Sequence, residues 1–409
     1  MEWESQFLEG LAQRFGTPLY VYDAASFERQ RQLLEECLPA GIRIFYAMKA
    51  NPLRSLVQQF VRTGCGVEVA SEGELAAALE AGASPNDIIY TCPGKTREGL
   101  ALAVGAKVAC INLESVEEAE EANLIAGQLG LKIQVSLRIN PLSVASRGGL
   151  IMSGCTTQFG VDEEHAIEVF QFLRRRCENL RPVGIHVFSG TQILRAQAIV
   201  EDAHQTFELA CRLSQECGFP LRFIDLGGGF GVPYADATES LDLMVLRQGY
   251  FRVWEQYRDR VGTARVLVEA GRFLVSGGGL FLTSVLARKE SRGKVFVVCD
   301  GGYAHHPASS YIARTARNRH SVKLVRGSAA EETVTIAGPS GTPVDIIARD
   351  VALGRTSRGD LLAVEMSGAY GYTNSCQLFY SGPSPAEVLI QGNEALLLRQ
   401  RGSFLEERR

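Results

Sequence analysis

From about residue 40, short runs rich in β-branched and aromatic residues alternate with segments whose apolar positions recur every three to four residues. The short runs are IRIFYA (42–47), GVEVA (66–70), DIIYT (87–91), ACINL (109–113), IQVSLRI (133–139), VGIHVF (183–188), FIDL (223–226) and RVLVEA (265–270). Between them lie segments such as SLVQQFVRTG, GELAAALEAG and AIEVFQFLRRR, which have the spacing of amphipathic helices. Strands that alternate with helices pair in parallel, because each helix carries the chain back to the same end of the sheet. Eight such units predict a closed (β/α)8 TIM-like barrel in preference to an open sheet.

After about residue 275 the helical spacing stops. KVFVVCD, SVKLVRG, ETVTIAG, DLLAVEM and AEVLIQG read as strands separated by Gly, Pro and charge clusters, which predicts an all-β C-terminal domain. TPLYVYD (17–23) is also strand-like and precedes the first barrel unit, so it is expected to join that domain. The predicted division is a barrel over 27–275, with 1–26 and 276–409 forming the β-rich domain.

Composition narrows the function classes. The 409 residues are 46% hydrophobic, ample for two cores. A net charge of −4 argues against broad binding to nucleic acid or anionic membrane. No apolar run reaches the length of a membrane span. The segment MEWESQFLEG lacks the charged-then-apolar pattern of a signal peptide, so a cytoplasmic location is expected. The ten cysteines are scattered without a CxxC pair, which reads as reduced thiols with no zinc-ligand spacing and no expected metal.

A barrel of this kind carries its chemistry at the C-terminal ends of the strands. Lys49 follows the first strand, and Glu68 and Ser71 end the second. Arg138 and Asn140 end the fifth, His186 and Ser189 the sixth. GGGFG (227–231) follows the seventh, and Glu269, Gly271 and Arg272 end the eighth. Each has an ordinary reading alone: a solvated lysine, a satisfied core histidine, a tight turn, a Glu269–Arg272 ion pair. Together they put an amine, an anion-cradling glycine loop, a flat imidazole and a carboxylate at one mouth. That set suits pyridoxal 5'-phosphate (PLP): the amine forms a Schiff base with its aldehyde, the loop holds its phosphate, and the acid faces its ring nitrogen.

The motifs YAMKANP (46–52), GVEVASEGEL (66–75), RINP (138–141), QFGV (158–161), HVFSGTQ (186–192), DLGGGFG (225–231), EAGRFLV (269–275), DGG (300–302), GDLLAVEMSGAYG (359–371) and PSPAEVLI (383–390) follow in order. With them the chain resembles the fold-type III PLP-dependent decarboxylases, the diaminopimelate and ornithine decarboxylase family, over nearly its whole length. The resemblance implies an alanine racemase-like barrel plus β domain and a head-to-tail homodimer whose sites are completed across the interface. It implies that Lys49 carries PLP, that His186 stacks on the ring and that Glu269 bonds the ring nitrogen. Ser189, Gly228, Gly229, Gly271, Arg272 and Tyr370 would surround the phosphate or the substrate carboxylate. Arg138, Arg272, Tyr311 and Thr342 are the residues expected to touch substrate.

Three departures from the family pattern bear on substrate. The family's GPxCES segment, whose cysteine protonates the product, reads GPSGTPVD (338–345) here, with Gly341 and Thr342 at the Cys and Glu positions. Cys376 is near in sequence, with nothing to place its thiol at the site. The segment after DGG lacks an arginine at the usual distance and carries His305 and His306, either a solvated loop or new site residues. HVFSGTQ is one residue longer than the family's HxGSQ. This spelling is similar to decarboxylases of antibiotic, siderophore and exopolysaccharide gene clusters, some of which act on carrier-tethered amino acids. The expected function is therefore PLP-dependent decarboxylation of an amino acid or aminoacyl substrate, free or on a carrier protein. An amino-acid racemase, a decarboxylation-dependent transaminase and a PLP-binding homologue without turnover are the alternatives.

Overall fold

The structure is a computed structural model that describes residues 3–145, 150–235, 239–307, 320–327, 330–377 and 379–403. Contacts divide the chain into two compact units: Arg31–Val232 with Glu239–Gly271, and Met1–Gln30 with Pro233–Thr238 and Arg272–Arg409. Strand β1 (Leu19–Asp23) belongs to the second unit, and the chain then enters the first.

The first unit is built on β2 (Ile42–Ala47), β3 (Gly66–Val69), β4 (Ile88–Thr91), β5 (Cys110–Leu113) and β6 (Ile133–Asn140). The short strands β7 (Leu150–Ile151) and β8 (Val161–Asp162) follow, then β9 (Leu180–His186), a short β10 (Gly190–Thr191), β11 (Phe223–Asp225) and β12 (Arg265–Ala270). The parallel order β2-β3-β4-β5-β6-β9-β11-β12 closes by pairing β12 with β2, so the alternation does form the expected barrel. β8 adds to the end of β6, and β7 pairs with β10.

The barrel interior is layered, and the two-residue period of a strand explains how. Phe45, Ile89, Cys110, Val183, Phe223 and Leu267 form one buried apolar cluster. Two positions further along the same strands stand Asn112, Asp225 and Glu269, all buried. Residues i and i+2 share a face, so the apolar layer fills the N-terminal part of the barrel and the polar layer sits above it. Helices begin cleanly at that upper end. Ser71 Oγ accepts the Glu74 N–H (3.1 Å) while Glu74 Oε2 accepts the Ala70 N–H (2.7 Å), a capping box that opens the helix Glu72–Glu80. Ser115 and Glu118 repeat it at the helix Val116–Gln128. Ser71 thus serves the helix start.

The second unit is a sheet. Its further strands are β13 (Gly279–Ser291), β14 (Lys294–Cys299), β15 (Val322–Leu324), β16 (Glu332–Ala337), β17 (Ile346–Leu353), β18 (Leu361–Val364), β19 (Ala386–Gln391) and β20 (Glu394–Arg399). β1 lies between β13, antiparallel, and β19, parallel, so the N-terminal strand does join the β domain. Leu19, Val21, Leu280, Leu282, Val388 and Ile390 form its core with Leu8 and Leu11 of the helix Ser5–Phe15. Strands β13, β17 and β20 are additions to the five read from sequence after residue 275. GLFLTSVL in β13 shows no period of two, because its first five residues are all buried.

Candidate active site

Lys49 sits in a single helical turn, Met48–Ala50, directly after β2. Its Nζ donates to Glu68 Oε2 at 2.8 Å. Glu68, on β3, is fully buried, whereas the Lys49 side chain is 38% exposed. The side chain is therefore partly open to solvent while a buried carboxylate holds its amine. Lys49 Nζ also lies 5.8 Å from the centre of the Phe188 ring.

His186 ends β9 and is fully buried, yet neither Nδ1 nor Nε2 has a hydrogen-bond partner among the described residues. Its Nε2 is 3.6 Å from Glu269 Oε1, too long for a hydrogen bond. Burial, and then the charges of Arg138, Lys49 and Lys95, hold its pKa well below the usual histidine value, so the imidazole is neutral. Glu269, on β12, leaves Oε1 buried and unpartnered. Burial first, then the Asp225 and Glu68 charges, push its carboxyl well above the ordinary range. Arg138, on β6, is committed to another carboxylate: Nη1 bonds Glu114 Oε1 at 2.9 Å, both side chains are buried, and Phe159 covers the guanidinium at 4.6 Å.

The glycine run leaves β11 beside these groups. Gly227 and Gly229 have φ of +64° and +86°. A Cβ on Gly228 would stand 1.8 Å from the Glu269 carbonyl oxygen, and one on Gly229 2.2 Å from the Gly190 oxygen. Only glycine lets this loop lie so close to β12 and to the segment after β9. Ile193 N–H donates to Gly229 (2.9 Å) and Gly231 N–H to Ile193 (3.0 Å), which fixes the loop. Ser189 is half-buried, and its carbonyl accepts the Met152 N–H at 3.1 Å. Gly271 follows β12 directly.

The remaining expected residues lie in the second unit. Arg272 Nη1 donates to Tyr234 Oη at 2.8 Å, and the Tyr370 ring covers the guanidinium at 4.7 Å. Arg272 Nε is buried without a partner. Tyr234 was not singled out by sequence, and its position three residues after the glycine run is the signal that could have found it. Thr342 is half-buried, its carbonyl accepting the Asp345 N–H in a turn. A Cβ on Gly341 would meet Tyr380 Oη at 2.7 Å. Cys376 is exposed, with its thiol 3.4 Å from Tyr303 Oη. His305 and His306 do not form a solvated loop: both are buried, His306 Nε2 is 2.9 Å from Ser367 Oγ, and Tyr20 stacks on its ring. Tyr311 lies outside the described residues.

A ring-shaped cofactor with an aldehyde and a basic ring nitrogen fits what the barrel offers. The amine is at the mouth, the flat neutral imidazole has two unused nitrogens, and a buried carboxyl oxygen lacks a partner. A metal would find His186, Asp225 and Glu269 within 4.8 Å of one another. A metal, however, would leave the lysine and the glycine loop without a role.

Residues 24–276 match the family described as pyridoxal-dependent decarboxylase, pyridoxal binding domain. The chain belongs to that family, and with its barrel and β domain it is a fold-type III PLP-dependent decarboxylase, a lyase. It is 36% identical over 410 residues to an L-glutamyl-[BtrI acyl-carrier protein] decarboxylase of Niallia circulans, covering 98% of this chain and 95% of that one. It is 31% identical over 404 residues to a diaminopimelate decarboxylase of Aquifex aeolicus, covering 98% and 93%. The solved structure of diaminopimelate decarboxylase from Helicobacter pylori complexed with L-lysine superposes with a TM-score of 0.87 at 28% identity, covering 97% of each chain. No helix among the described residues is long and apolar enough to cross a membrane.

Proposed function

We propose that this decarboxylase acts on an α-aminoacyl group, glutamyl or similar, carried on an acyl-carrier protein. The similarity to the carrier-protein glutamyl decarboxylase, 36% against 31% for a diaminopimelate enzyme, is the observation that carries this reading. The departure after DGG agrees with it, since it falls where the diaminopimelate enzymes are expected to read a free diamino acid.

When bound, PLP supplies an aldehyde that takes up the substrate amine and a ring that accepts the electron pair left by CO2. Lys49 Nζ would bind that aldehyde, held toward the mouth by Glu68. His186, kept neutral by burial, gives the ring a flat uncharged face. Glu269, whose Oε1 is buried without a partner among the described residues, would hold the ring nitrogen. Ser189, Gly228, Gly229 and Gly271 line the phosphate end, where a β side chain on the loop would collide with backbone. Arg272, steadied by Tyr234 and Tyr370, serves an anionic group of cofactor or substrate. Arg138, Tyr311 and Thr342 remain assigned to substrate, Arg138 acting through its Glu114 pair. We further propose a cytoplasmic homodimer in which the β-rich segments 1–26 and 276–409 complete the partner's site.

The test is CO2 release, with product mass, from purified PLP-loaded protein given glutamyl-carrier protein, free glutamate and free diaminopimelate. Loss of CO2 from the carrier-bound group, leaving a carrier-bound amine, is expected. Faster reaction with free diaminopimelate would overturn the tethered reading, and a changed Cα configuration without CO2 would mark a racemase.

A further inference from the structure

Asp225 ends β11 next to Glu269 on β12, and it belongs to no role assigned above. The strands run in parallel register, with Asp225 opposite Leu267, and the Glu269 N–H donates to the Gly227 carbonyl at 2.7 Å. One carboxyl oxygen of each lies within 4.8 Å of the other inside a fully buried layer. Two ionised carboxylates this close in a buried layer repel strongly, so one of them carries a proton. Which one follows from the other donors. Asp225 Oδ1 accepts the Gly227 N–H at 2.9 Å, and Oδ2 lies 3.4 Å from Asn112 Nδ2. Asn112 is itself fixed, donating to Thr91 Oγ1 at 2.7 Å and accepting from Ser136 Oγ. Glu269 has no such donors at Oε1. N–H donors favour the ionised carboxylate they face.

We propose that Asp225 is an anionic positioning residue that keeps a proton on Glu269, so that Glu269 meets the cofactor's ring nitrogen as a hydrogen-bond donor and hands it that proton. The O–H bond at Glu269 breaks, an N–H bond forms at the ring nitrogen, and Glu269 is left as the carboxylate; no electron changes hands. The surrounding charges suit this. Lys49 and Glu68 pair, Arg138 and Glu114 pair, and His186 is neutral. Asp225 and Glu269 together hold one negative charge before the transfer; afterwards both are carboxylates, and the protonated ring offsets the second charge. Both carboxyls are pushed up, Asp225 to about 7 and Glu269 well above its ordinary range, in each case by burial above all. This inference rests on the family reading, because it needs a ring nitrogen at Glu269.

The experiment is infrared difference spectroscopy of the full-length protein in the carboxylic-acid region, with and without PLP, alongside cofactor absorbance. Glu269→Gln identifies the Glu269 signal. A protonated Glu269 is expected at pH 7 in the cofactor-free protein, and it should vanish when PLP binds. In Asp225→Asn the proton should leave at a pH at least one unit lower, because the neighbouring anion is gone. A Glu269 already ionised at pH 6 in the wild type, or one that titrates identically in Asp225→Asn, overturns the proposal. Should Asp225→Asn fail to fold, the wild-type and Glu269→Gln spectra decide it alone. Absence of any cofactor absorbance would instead count against the family reading, since the carboxyl signal is read without turnover.

Discussion

Lys49 shows how one residue takes its character from its neighbours. By type it is a surface residue, yet its Nζ is anchored on a carboxylate with no exposure at all. Lys49→Ala should abolish turnover and the visible absorbance of bound cofactor together; an unchanged cofactor spectrum in that variant would refute its role. Glu74 gives a pH prediction. Burial, and then the Glu68 charge, raise its carboxyl from 4.5 to about 7, against the Ala70 N–H and Lys49, which lower it. Its folded pKa lies above its unfolded one, so its stabilising contribution is complete below about pH 4 and is lost as pH rises through about 7. Glu74→Gln cannot ionise and keeps an acceptor for Ala70. Its melting temperature relative to wild type should rise by about a few degrees between pH 5 and 8. A constant difference across that range would contradict the assignment. At this scale the chain order already pointed to Lys49, His186 and Glu269. The partner of Arg138 was not legible, because Glu114 is supplied by a neighbouring strand end and no spacing rule links the two.

Among the elements, the connection after β11 is the most constrained. Gly228→Ala would drive a Cβ into the Glu269 carbonyl at 1.8 Å, and a rigid backbone oxygen cannot step aside. We expect that variant to lose PLP binding and to melt well below wild type, measured by cofactor absorbance and calorimetry; normal cofactor retention would show that the loop has slack. All eight barrel strands were readable because each is short, β-rich and bounded by a helix with its own period. Strand β13 was not, since its first five residues are all buried and give no alternation, and β20 was not, since EALLLR is a partly exposed hairpin strand. Ser71 shows the opposite failure. Its position at a strand end suggested the mouth, but the Glu three residues later makes it a helix cap.

For the whole molecule, the proposed homodimer predicts a single species of twice the 44.5 kDa chain mass by sedimentation. It further predicts that mixing Lys49→Ala with Thr342→Arg, each inactive alone, restores part of the activity. That rescue requires one hybrid site to receive both an intact lysine and an intact partner segment. A catalytically competent monomer would overturn the shared site.

The sequence by itself determined the barrel, the β domain with its early strand, and the cofactor class, because these depend on periodicity and on residue types at strand ends. The tertiary structure alone decided which polar groups are satisfied. His305 and His306 became buried, Arg138 became committed to Glu114, and Asp225 was set against Glu269. The last two outcomes depend on which neighbouring barrel strands bring their side chains to the same height. That register is a property of the closed sheet, and no local stretch of chain contains it.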